Sequence, residues 1–208
     1  PANSSLHADG QDQACPQRLL GLHCRGFYIK RVVAGPGDRV RIQRGQVIVN
    51  GHLVDDTFIT WTGEVEPAEE NFPLIMATDG EATAFGLMLF LEDDYPVTAI
   101  EGSPIYTYDA NDELVRFYYG NILDNLAPIP TGLTSDIPFL HDILVPDGHY
   151  FVMGDNRTRF GSEDSRTFGL VPEAEIVGPA TAVIWPPFRD GQPNMRALTP
   201  PDAFAPLW

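Results

Sequence analysis

Phe27-Tyr28-Ile29-Lys30-Arg31-Val32-Val33-Ala34-Gly35-Pro36-Gly37-Asp38 reads as a strand, Phe27 to Ala34, that must turn at Gly35-Pro36-Gly37-Asp38. Immediately beyond it, Val40 and Ile42, then Val47 and Val49 after Arg44-Gly45, then Leu53 after Asn50-Gly51, recur at period two. That alternation with Gly-containing two-residue breaks predicts successive hairpin strands. Further strands are expected at Thr83 to Leu91, Ile105 to Tyr108 and Leu114 to Tyr119, the last two forming a hairpin across Asp109-Ala110-Asn111-Asp112. Tyr150 to Met153 reads as a short apolar strand and Ile176 to Trp185 as a final one. Residues 1 to 26 are polar and irregular, 55 to 71 an acidic loop-rich stretch, and 121 to 148 a Pro/Asp/Gly-rich return connection. Helical periodicity is weak, with one turn at Pro172-Glu173-Ala174-Glu175 and Pro as its first helical residue. The fold class that follows is mainly β.

Within the opening stretch Lys30 is the single lysine of the chain; the other twelve basic residues are arginines. A guanidinium keeps its proton at any workable pH, whereas an ammonium in apolar surroundings can be driven toward neutrality and accept a proton. Phe27, Tyr28, Ile29, Val32 and Val33 are apolar neighbours of that kind, so Lys30 is a candidate general base. The competing reading is a lone surface lysine with an ion-pair partner.

The 208 residues carry 29 carboxylates against 13 Lys and Arg, a net charge of −16. A phosphate backbone would find little to neutralise it, so no nucleic-acid partner is expected. Ala82 to Leu91 and Ile176 to Phe188 are too short or too broken by Pro and Gly to span a bilayer, and Pro1-Ala2-Asn3-Ser4-Ser5 has no signal-peptide character. The chain reads as an internal fragment. Cys15 and Cys24 could be bonded or free, and the five histidines lack ligand spacing, so neither metal nor cofactor is expected. Trp61, Trp185 and Trp208 read as packing or tail residues. The runs Glu66 to Glu70 and Glu92-Asp93-Asp94 read as solvated loops. No Gly-x-Ser-x-Gly elbow occurs, which disfavours a Ser-His-Asp hydrolase.

Two segments are more specific: Tyr28 to Asp38, and Gly154-Asp155-Asn156-Arg157 followed by Ser162-Glu163-Asp164-Ser165-Arg166 and Gly169-Leu170-Val171-Pro172. Together and in this order they resemble the type I signal peptidases, membrane-associated serine/lysine-dyad endopeptidases that remove signal peptides from exported proteins. The resemblance covers the two motifs and the C-terminal strand; the middle of the chain does not match in detail. It implies that Lys30 is the general base and Ser162 the hydroxyl that orients it. Arg31 with Asp155, and Asp164 with Arg166, fall on structural ion pairs of the kind that buried charges require. Gly154 and Gly161 would allow close backbone approach. Val152, Met153 and Tyr28 would wall the amine. Ile29 would line the pocket for the small residue before the cleavage site, and the Phe27 to Lys30 strand would pair with an extended substrate.

By the same resemblance the fold is a signal-peptidase/LexA-like coiled antiparallel β-sheet catalytic core, residues 1–39 and 148–208, with a β-rich subdomain inserted at 40–147. The partners would be signal peptides of exported preproteins and the membrane, reached through an N-terminal anchor, with the catalytic part on the extracytoplasmic side. Two departures stand out. Four residues, Thr158 to Gly161, separate Arg157 from Ser162, more than in the family, so Ser162 rather than Ser165 rests on counting back from Asp164-Ser165-Arg166. The family's nucleophile lies in a Ser-Met-x-Pro motif further upstream of the lysine than the 29 residues available here, and Ser4 and Ser5 lack those neighbours. The expectation is therefore a chain truncated on its N-terminal side and inactive alone. The rivals are a conjugation-type maturation protease with the same dyad and an inactive peptide-binding relative. A LexA-type repressor is disfavoured by the acidic balance.

Overall fold

The computed structural model describes residues 28–56, 59, 70–87, 89–92, 95–98, 105–157, 162–183, 188–189, 191–193 and 195–198. Its first strand, β1 (Arg31–Ala34), pairs antiparallel with a distant one, His149–Met153, at Arg31–Met153 and Val32–Val152. Then β2 (Arg39–Gln43), β3 (Gln46–Val49) and β4 (His52–Leu53) follow one another as hairpins. Their turns have positive φ at both central residues, Arg44 (50°) with Gly45 (75°) and Asn50 (51°) with Gly51 (80°), the geometry that matches strand twist. Val40, Ile42, Val47 and Val49 all point into the core, as their period requires.

A second sheet is built from β5 (Leu74–Thr78) and β6 (Glu81–Leu87), turning at Asp79-Gly80. The pair β7 (Leu89–Glu92) and β8 (Tyr95–Thr98) stands apart, and β9 (Tyr106–Asp109) returns to pair with β6. Helix α1 (Glu113–Leu123) comes next, then β10 (Phe139–Leu140) on β5, β11 (Ile143–Leu144) on β2, and β12 (His149–Met153). A short helix α2 (Ser165–Phe168) leads to β13 (Val171–Pro172), which pairs with β12. Near the C-terminus β14 (Ala182–Val183) pairs with β17 (Arg196–Ala197), and β15 (Phe188–Arg189) with β16 (Gln192–Pro193). The architecture is mainly β and antiparallel throughout.

One buried cluster joins helix α1 to the three larger sheets, those of β1, β2 and β5: Val33, Ala34, Phe151 and Met153 with Val40, Ile42, Val49, Phe72, Ile75, Phe85, Val115, Tyr119, Ile122 and Ile143. Phe85 is completely buried, stacked on Tyr119 at 4.8 Å and edge-on to Phe72 at 6.1 Å. Aromatic pairs at these spacings add to the burial of their area.

Several expected elements differ. Leu114 to Tyr119 is not a strand in a hairpin but part of α1. Asp112 caps that helix by accepting from the Leu114 and Val115 amides, and Val115, Tyr119 and Ile122 bury one helical face. The cap and the helical spacing override the β preference of the aromatic residues. Of the strand expected at Ile176 to Trp185, the described residues show only Ala182–Val183, because Gly178 takes φ 148° and Pro179 has no amide to give a ladder; Ile184 and Trp185 lie outside the described residues. The expected Phe27–Ala34 strand is ladder-paired only from Arg31, since Gly154 leaves β12 for a loop, and Phe27 is outside the described residues. The helical turn near Pro172 is a 3-10 turn over Glu173–Glu175 with Pro172 just before it. Cys15, Cys24, Gly161, Trp61, Trp208 and Asp93-Asp94 also fall outside the described residues.

Candidate active site

Lys30, the residue before β1, meets the loop that follows β12. Its Nζ lies 2.6 Å from Ser162 Oγ, a hydrogen bond between residues 132 apart in sequence. Ser165, the other serine in reach by counting, is instead fully buried and takes the Val152 amide at 2.8 Å, so the lengthened loop places Ser162 on the amine. The two serines thus have separate tasks, one toward the lysine and one toward strand β12.

Gly154 makes the approach of Ser162 possible. A Cβ on Gly154 would sit 1.8 Å from Ser162 Oγ and 3.6 Å from Lys30 Nζ. No side chain fits there without displacing the serine. Both peptide groups of Gly154 are held: its amide donates to Asp164 Oδ2 at 3.1 Å, and its carbonyl accepts from Arg157 Nε at 2.8 Å.

Asp164 is completely buried and caps α2 through the Arg166 amide, while its two oxygens accept the Arg166 fork at 2.7 and 2.6 Å. Such bidentate pairing is what lets charges stay in the interior. The second expected pair also forms, with Arg31 Nε and Nη2 bonded to Asp155 at 2.9 and 2.7 Å near the surface. It ties β1 to the turn after β12, beside the lysine.

Of the residues expected to wall the amine, Val152 and Met153 are buried and Tyr28 is 57% exposed; Ile29, expected to line the substrate pocket, is 84% exposed. The Tyr28 ring nonetheless stands 5.5 Å from Lys30 Nζ, within cation–π reach. Burial pushes the Lys30 amine below the ordinary lysine value; Asp164 and Glu163 oppose this, and Arg166 reinforces it. Glu163 is pushed up by burial and drawn back by Lys30.

Glu70 was expected in a solvated acidic run, yet it is 3% exposed and in ionic contact with Arg166 Nη1. Burial raises its carboxyl and Arg166 pulls against that rise; burial likewise works against the Arg166 guanidinium, which Glu70 and Asp164 hold above its ordinary value. The sequence signal that marks it is the apolar run starting two residues later at Phe72, which draws the chain back into the core. Arg157, quoted with its motif but given no task, is also buried. Among the described residues no group of three His, Cys, Asp or Glu side chains could hold a metal ion.

A family model described as "Signal peptidase, peptidase S26" matches residues 19–185, a span that includes Lys30, Ser162 and both ion pairs. The chain belongs to the signal peptidase S26 family. Curated relatives of this signal peptidase chain include signal peptidase I of Haemophilus influenzae, 62% identical over 165 residues, covering 76% of this chain and 38% of the relative. Signal peptidase I of Buchnera aphidicola is 28% identical, covering 78% of this chain and 49% of the relative. Signal peptidase IB of Staphylococcus aureus is 27% identical, covering 76% and 53%. The chain thus spans about two fifths to half of the length of the curated relatives it matches. A crystal structure of a signal peptidase I from Enterococcus faecalis is 20% identical over 73% of this chain and 80% of that one, with a TM-score of 0.33.

Proposed function

We propose that the protein is a type I signal peptidase, a serine endopeptidase that removes signal peptides from exported preproteins with Lys30 as its general base. The observation that carries this reading is the 2.6 Å bond between Lys30 Nζ and Ser162 Oγ, formed in a setting whose burial favours the neutral amine. The nucleophile in this reading is the family's separate serine and not Ser162: its hydroxyl gives its proton to the neutral Lys30 amine as its oxygen attacks the scissile carbonyl, and an acyl-enzyme forms as the peptide C–N bond breaks. The ammonium then gives the proton to the leaving amine. Neutral again, Lys30 deprotonates the water that hydrolyses the ester.

In this scheme Ser162 accepts an amine N–H and thereby aims the nitrogen lone pair, and Gly154 gives it room. The open segment Tyr28-Ile29, which precedes β1 and bears no ladder partner among the described residues, suits an extended substrate adding itself as a strand. We extend the proposal to a membrane location with the catalytic part on the extracytoplasmic side, and to residues 40–147 as an insertion in a core formed by 1–39 and 148–208. No helix among the described residues is long and apolar enough to cross a membrane. The net charge of −16 supports peptide rather than nucleic-acid substrates.

The test is Lys30→Arg in the complete protein, assayed on a preprotein with small residues before its cleavage site. Processing is expected to be abolished with the fold retained, because a guanidinium fills similar space but keeps its proton. Near-normal processing by Lys30→Arg overturns the proposal.

A further inference from the structure

We propose that Glu70 is a positioning residue of the Lys30 site, acting through Arg166 and Asp164; this rests on the peptidase reading above. Glu70 lies 96 residues from Arg166 in sequence and outside both motifs, yet its backbone is pinned. Its carbonyl accepts from the Gly45 amide at 2.8 Å, the next side chain, Asn71, accepts from the Arg44 amide at 2.9 Å, and Phe72 exchanges both backbone bonds with Ile42. The β2–β3 turn therefore delivers this carboxylate into the interior from a fixed base.

From there the contacts run without a gap to the reacting amine. Glu70 meets Arg166 Nη1; the other nitrogens of Arg166 fork onto Asp164; Asp164 holds the Gly154 amide; Gly154 lies under Ser162; Ser162 holds Lys30. Arg157 grips the Gly154 carbonyl from the same cluster. Four buried charges result, Glu70 and Asp164 against Arg157 and Arg166, and they balance. The cluster holds both peptide groups of Gly154, and two of its charges act on Lys30 in opposite senses, Asp164 favouring the ammonium and Arg166 disfavouring it. Taking away Glu70 leaves one guanidinium uncompensated, which both frees the Arg166 fork to turn and adds positive potential at Lys30. The groups that face Lys30 are then the Tyr28 ring, the Ser162 hydroxyl, the Glu163 and Asp164 carboxylates and an Arg166 no longer countered.

The experiment compares Glu70→Gln and Glu70→Asp in the complete protein by processing kinetics and by titration of the Lys30 15Nζ resonance, assigned by its absence from Lys30→Arg. For Glu70→Gln we expect kcat to fall about 10²-fold, the scale of a catalytic group displaced by an ångström, with KM nearly unchanged. The Lys30 midpoint and the acid limb of kcat/KM are expected to move to lower pH. Glu70→Asp, which keeps the charge on a shorter stem, restores the midpoint and part of kcat. A residue that only stabilises the fold would lower the melting temperature and leave midpoint and limb in place. Unchanged midpoint and kcat within about two-fold in folded Glu70→Gln overturn the inference. If that variant does not fold, Glu70→Asp decides: kcat reduced with KM unchanged, measured well below its melting temperature where the variant is fully folded, supports it, and unchanged kcat overturns it. Processing by Lys30→Arg would instead sink the peptidase reading, and the Lys30 midpoint in Glu70→Gln would still report whether Glu70 acts on the amine.

Discussion

Lys30, Ser162 and Gly154 form one steric and hydrogen-bonded unit, and each residue has its own predicted signature. Ser162→Ala removes the group that aims the amine and is expected to lower kcat by about 10² or more, with Ser165→Ala acting through strand β12 stability instead. Kinetics of both variants check this; harmless Ser162→Ala contradicts it. Gly154→Ala is expected to be as damaging, since the new methyl would take the place of the Ser162 hydroxyl at 1.8 Å. Burial also makes a stability prediction. Because the folded Lys30 value is depressed, the ammonium destabilises the fold below that value, and the cost disappears as pH rises through the unfolded value of about 10.4. Thermal melts of Lys30→Met should therefore lie above the native chain at pH 7, with the gap closing toward that pH. These residues were legible because their chemistry is local to two motifs. Glu70 was not, because an acidic run looks solvated until the partner that neutralises it, 96 residues away, is known.

Among elements, the hairpins of β2, β3 and β4 were readable from period two and from Arg44-Gly45 and Asn50-Gly51, whose positive φ values suit those turns. Helix α1 was hidden by its composition. Phe117, Tyr118 and Tyr119 favour strands, and only the Asp112 cap together with the Val115, Tyr119 and Ile122 spacing reveals the helix. Asp112→Ala should cost about 1 kcal/mol, read from the denaturant midpoint, since two amides at the helix start lose their acceptor. The long C-terminal strand failed for the opposite reason, an apolar run interrupted by the Gly178-Pro179 break.

Across the whole molecule, the mainly β architecture followed from alternation, but the way one core joins distant segments did not, because pairing of β1 with β12 and of β11 with β2 is set by packing at long sequence separation. Phe85 sits at the centre of that core, so Phe85→Ala should cost about 3–5 kcal/mol and weaken the site with the sheets that carry it. All of this places a single amine against a single serine. The measurement that tests that most directly is the pH titration of the Lys30 15Nζ resonance in the folded chain. A midpoint clearly below the ordinary lysine value of about 10.4 is predicted; a midpoint at or above it would contradict Lys30 as the base.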